Sequence, residues 1–143
     1  MDDCWSISTG DGVSLAPEGL TDLLAVHHHR LIDTWQGLGP AQWAHQSRNT
    51  QWSVHDTVRH VADVMERTVV VANGGQALNK TDFDPRSTPI AWLATSEGET
   101  PSVTIERFAK ASASHRARIS ERFAQLDTAR ERTVYGTAHW TVN

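Results

Sequence analysis

The feature that most constrains this chain is a run of apolar residues at helical spacing, closed sharply at both ends. Val54, Val58, Val61, Met65, Val69 and Ala72 fall on one stripe of a helix. Ser53 offers a hydroxyl to cap the first turn, and Asp56, three residues on, allows a reciprocal exchange, though Asp is shorter than the usual Glu. Trp52 precedes the cap, where it would staple onto Thr57. Asn73-Gly74-Gly75 stops the helix. The segment is rich in β-branched valine, which disfavours an isolated helix, so it needs partners to pack against.

Two further stripes supply them. Pro17-Glu18 suits a first helical turn, where the missing N–H costs nothing and a carboxylate meets the positive end. Leu20, Leu24, His27, Leu31 and Trp35 follow at helical spacing, and Gly37 and Gly39-Pro40 end the run. Thr100-Pro101 opens a third helix carrying Ile105, Phe108, Ala109, Ser112, Ile119, Phe123 and Leu126, reaching about Asp127. Between the second and third helices lies a long connection, 74–100, in which Thr88-Pro89 followed by Ile90, Trp92 and Leu93 predicts one short helical turn. Strand signals are confined to Thr133-Val134-Tyr135. The expected fold is all-α, an up-down antiparallel bundle of three long helices, with a fourth missing or supplied by another chain. Residues 1–16 read as a loose polar leader and 17–143 as a single helical domain.

Charge and composition narrow the function. The 143 residues carry 13 Lys and Arg against 17 Asp and Glu, a net charge of −4, with no basic run to track phosphates. Nucleic acid is therefore not an expected partner. No apolar run approaches the roughly 20 residues of a membrane span, and the N-terminus has no signal-peptide pattern. The single cysteine, Cys4, can form no internal disulfide and has no basic neighbour to activate it, which fits a reducing cytoplasm. Serine-hydrolase elbows, paired-cysteine motifs, HExxH and phosphate-binding glycine loops are all absent from the sequence.

Eight histidines and six tryptophans stand beside one tyrosine and three phenylalanines. On a helical wheel of about 100° per residue, His60 lies at one edge of the second helix's apolar arc, beside Val64 and Val71, with Asp56, Asp63 and Arg67 on its other flank. That edge suits a ligand lining a cleft, and equally a half-exposed histidine with a carboxylate neighbour. His27 falls near the middle of the first helix's stripe, His28 towards its edge, and His29 points away. For His27 a buried, neutral imidazole bonded to a carbonyl or side chain is favoured over a functional role. In the third helix Arg116 lies inside the stripe, with Ser112 beside it and His115 at the edge. A core-facing Arg either snorkels to solvent or serves a small anion, for which its fork suits a carboxylate.

Taken together, RLIDTWQGLGPAQWAHQSRNTQWSVHDTVRHVADV (residues 30–64) carries Pro-x-x-Trp followed by Trp-Ser-Val-x-Asp-x-Val-x-His-Val-Ala. This resembles the DinB-like superfamily, closest to the metal-binding domain of mycothiol-dependent maleylpyruvate isomerases. TPIAWLATSEGETPSVTIERFAKASASHRARI (88–119) is similar to that family's third-helix region, so the resemblance spans about residues 18–127. It implies a four-helix bundle binding zinc or nickel, with His60 as the first metal ligand. It also implies a thiol cofactor such as mycothiol, whose sulfur the metal would hold as a thiolate. The activity implied is isomerisation or thiol transfer on a small electrophile. The other two family ligands form a His-or-Glu-x-x-x-His pair on the fourth helix, and this sequence holds no such pair, ending at Asn143 about where that helix would begin. His27 and His115 could replace them if all three face one cleft, or a second copy in a homodimer could contribute its own ligands. The other expectation is a small-molecule-binding or protein-interaction module that keeps the bundle and has lost the metal site.

Overall fold

A computed structural model describes residues 17–75, 84 and 86–125 of the chain. They form α1 (Pro17–Gln36), α2 (Pro40–Trp43), α3 (Val54–Ala72), α4 (Thr88–Thr95) and α5 (Pro101–Gln125), with no strand among the described residues. The leader 1–16, the segment around Thr133 and residues 76–83 and 85 of the long connection lie outside these residues.

The start of α3 is fixed as its sequence requires. Ser53 Oγ accepts from the Asp56 amide at 3.1 Å, and Asp56 Oδ2 accepts from the Ser53 amide at 2.9 Å and from its hydroxyl at 2.7 Å. Each side chain thus satisfies the other's backbone donor. At the far end Gly74 takes φ +84°, a left-handed conformation that costs glycine nothing, and the chain leaves the helix there. Proline occupies the first position of α5, where its missing N–H breaks no helical bond. The connector after α1 holds one more turn than its sequence suggests: Pro40 begins α2, and Gln42 Oε1 accepts from the Gly39 amide at 2.8 Å.

Trp35, Trp43, Val58, Ala62, Ile105 and Phe108 form the core, with Ile32, Leu38, Val54, Val61 and Met65 packed around it. The Trp35 and Phe108 rings meet edge to face, 4.9 Å between centroids. Two long helices are parallel. Cross-contacts run from His55 to Thr104, from Asp63 and Glu66 to Arg107, and from Ala72 to Arg118, rising together along α3 and α5. The antiparallel expectation holds instead between α1 and α5, where His28 meets Arg116 and Trp35 meets Phe108. The physical reason is the length of the 74–100 connection, which lets the chain cross back before α5 begins. Short loops alone would have forced an up-down order.

On α1 the buried face is turned from the expected stripe. His28 is buried, while His27 and Leu31 are exposed, Leu31 by 40%. Helix α1 packs chiefly on α5, so it buries one narrow strip through Leu24, His28, Ile32 and Trp35. His28 belongs in that strip because its ring edge meets Phe108 at 5.5 Å and its Nδ1 lies 2.7 Å from Arg116 Nη1. His27 has no counterpart on α5 among these contacts.

Candidate functional site

The residues around His60 are brought together by a grip between α3 and α4. Arg59, buried on α3, donates through Nε to Ser96 Oγ at 3.1 Å and through Nη1 to Asp56 at 2.9 Å, and its Nη2 bonds the Leu93 carbonyl. Three partners satisfy the buried guanidinium, which would otherwise be costly. They also hold the C-terminal half of α4 against α3, and with it Trp92.

Trp92 and Trp52 then flank His60. The Trp52 ring lies 5.1 Å from the imidazole at a tilt of 53°, and the Trp92 ring is stacked on the imidazole at 6.2 Å and 22°. The ring that the sequence placed in a staple with Thr57 therefore has His60 as its partner in the structure. The Arg67 guanidinium carbon sits 3.7 Å from the Trp92 indole centroid, a close cation–π contact. Four side chains, Trp52, His60, Trp92 and Arg67, make one wall. Within it the His60 Nδ1 is buried and has no hydrogen-bond partner among the described residues. Burial pushes the His60 imidazole below its ordinary pKa, and the Asp63 carboxylate opposes this only in part. His60 is therefore neutral at pH 7.

One turn further along, Asp63 faces α5 instead of joining His60. Its Oδ1 accepts from Arg107 Nη2 at 2.6 Å, and its Oδ2 is buried without a hydrogen bond among the described residues. Arg107 also reaches Glu66, through Nε at 3.1 Å and Nη2 at 2.6 Å, and Glu99 through Nη1 at 2.8 Å. Hydrogen bonds to Glu66 first, then to Asp63 and Glu99, raise the Arg107 pKa well above its ordinary value despite burial. Glu99 in turn accepts from the Thr104 hydroxyl at 3.1 Å, and Thr104 Oγ1 lies 3.0 Å from His55 Nε2. Burial, and then the nearby Arg59 charge, lower the His55 pKa.

Of the residues singled out by sequence, His60 lies at the half-buried edge expected of it. His115 is buried in α5 rather than at its edge, because the face turned inward there also carries Ala111, Ser112 and Ile119. Arg116 is half-buried and donates to His28, whose pKa is lowered by burial first and by the Arg116 charge second. His27 faces solvent, so it does not share a cleft with His60 and His115. Among the described residues no three His, Cys, Asp or Glu side chains lie close enough to hold a metal ion. A catalytic zinc normally takes three protein ligands; one imidazole beside an Asp63 already bound to Arg107 does not fit it. Sequence reasoning missed His55 and Arg107. His55 sits at the variable position of the Trp-Ser-Val-x-Asp motif, and Asp63 and Glu66, one turn apart, were the visible sign that a cation must approach α3.

A family model described as the DinB superfamily matches residues 23–142 of the chain. No curated protein and no solved structure matches it.

Proposed function

The chain belongs to the DinB superfamily, and on that premise we propose that its helical domain binds a small planar acid against the wall of Trp52, His60, Trp92 and Arg67. The wall is the observation that carries this reading. Indole faces supply apolar area for a ring or conjugated chain. Arg67 is exposed and has no carboxylate partner among the described residues, so its guanidinium is available to an anion. His60 Nδ1 is the third element. A buried polar atom left unsatisfied costs about 1–3 kcal/mol, so a ligand that reaches it relieves a cost the fold otherwise carries. This is a binding domain that keeps the bundle without requiring the family's metal.

The same nitrogen favours a second reading, in which His60 holds zinc or nickel for a mycothiol-dependent isomerase or transferase. A neutral imidazole is the form that ligates a metal. The remaining ligands would have to come from outside the described residues or from a second chain.

One set of measurements on the purified full chain separates the two. Benzoate, a planar acid, is expected to raise the melting temperature of the wild type, and Arg67→Met and His60→Ala are expected to abolish that rise. Benzoate stabilisation that survives both substitutions would overturn the first reading. Near-stoichiometric zinc or nickel in the wild type, lost in His60→Ala, would replace it with the second.

A further inference from the structure

A different face of α3 carries a second polar group set in an apolar surface. Between α2, the start of α3 and the start of α5 is a recess of about 420 Å³ with apolar walls from Leu38, Pro40, Trp43 and Pro101. Its two polar side chains are Ser53 and His55. Ser53 directs its hydroxyl proton to Asp56 Oδ2 at 2.7 Å, as part of the α3 cap. His55 is the polar side chain left to a ligand.

The hydrogen-bond accounting fixes which face of His55 is chemically available. Thr104 is fully buried, and its hydroxyl has one proton to give. Two acceptors compete for that proton, Glu99 Oε2 at 3.1 Å and the Thr100 carbonyl at 3.3 Å. The Glu99 carboxylate is the strongest acceptor in reach of that proton, and with the proton given to it Thr104 Oγ1 accepts from His55, whose own proton is thereby assigned to Nε2. Glu99 is held as an acceptor by Arg107 at 2.8 Å. The Trp43 ring, edge to face at 5.4 Å, fixes the imidazole from the recess side. The remaining ring nitrogen, Nδ1, keeps its lone pair.

We propose that this recess binds a small, uncharged, aromatic molecule carrying one O–H donor, and that His55 Nδ1 accepts the hydrogen bond from it. Apolar walls with one convergent polar group are the usual make-up of a small-molecule site. The relay through Thr104, Glu99 and Arg107 makes His55 an acceptor before the ligand arrives, so no proton has to be rearranged on binding. A cation would lose more hydration against these apolar walls than a neutral donor, and an anion would meet a lone pair.

The test compares phenol with anisole, which has the same ring but no donor, by titration into the full chain followed in NMR spectra. The wild type is expected to bind phenol about 3- to 10-fold more tightly than anisole, the worth of one hydrogen bond. His55→Phe is expected to bring the two affinities together while leaving anisole unchanged, and His60→Ala is expected to leave the preference intact. In wild-type protein the His55 Nδ1 resonance should move with phenol while Nε2 stays protonated, a readout that needs no variant. Equal affinities in the wild type, no phenol binding up to its solubility limit, or a preference that survives in His55→Phe would each overturn the proposal. Loss of phenol binding in His60→Ala would do so as well, since it would place phenol on the other wall.

Discussion

Arg107 is the residue on which most of the buried charge converges. It meets Asp63, Glu66 and Glu99 at 2.6 to 2.8 Å, and the Asp63 and Glu99 side chains are almost wholly buried. Taking away one partner of a buried ionic cluster strands the others, which is far more costly than losing an exposed pair. Arg107→Met is expected to lower unfolding stability by about 3 kcal/mol, read from urea unfolding. Glu121→Ala, which breaks the exposed pair with Arg118, is expected to cost under about 0.5 kcal/mol. Equal costs would show that Arg107 contributes no more than a surface charge. The contrast also explains what residue-level reading could find. The edge position of His60 follows from spacing within one helix. Its neighbours Trp92 and Arg67, and the partners of Arg107, depend on which helices meet, and no local pattern encodes that. His28 and His27 differ for the same reason: only a neighbour presenting Phe108 and Arg116 decides which of two adjacent histidines turns inward.

At the scale of the element, α3 was the most legible part of the chain because its boundaries are set by local chemistry. Ser53, Asp56 and Gly74 act within a few residues of themselves, and the helix runs from Val54 to Ala72 as the stripe required. α1 and α5 begin where their prolines placed them, for the same reason. α2 was missed because four residues are too few to show a period. The parallel course of α3 and α5 was missed because direction depends on the connection rather than on either helix. The cap is directly testable. Ser53→Ala removes the hydroxyl that serves both Asp56 and its amide, and is expected to cost about 1 kcal/mol. It should also alter the acid limb. Burial alone would raise the Asp56 pKa, but hydrogen bonds from the Ser53 hydroxyl and amide, with Arg59, outweigh it and hold the carboxyl below its ordinary value. A folded-state pKa below the unfolded one contributes stability that is present above the unfolded value of 3.8 and lost as pH falls through the folded one. Urea midpoints measured downward from pH 5 should therefore fall less steeply in Ser53→Ala than in wild type. Identical slopes would remove Ser53 as the cause.

At the scale of the whole molecule, the bundle holds three imidazoles, His28, His55 and His60, in the neutral form, one on α1 and two on α3. Burial is the largest cause in each case, and the charges near them add to it or oppose it: Arg116 at His28, Arg59 against Asp56 and Glu99 at His55, and Asp63 at His60. Each folded-state pKa lies below the ordinary 6.5, so the unfolded chain takes up protons before the folded one does. Stability from this source is complete above pH 6.5 and is lost as pH falls from there toward the folded-state values. The three shifts have one sign and sit in one cooperative core, so their effects should add in global unfolding rather than loosen one helix at a time. Urea midpoints are expected to be flat from pH 8 to 7 and to fall between pH 6.5 and 5, well before Asp56 titrates. His28→Gln offers Arg116 an acceptor that cannot be protonated, and should make that fall shallower without changing the plateau slope. A flat profile from pH 7 to 5 in the wild type would mean that these imidazoles accept protons without strain, and would remove the neutral His60 on which the binding wall depends.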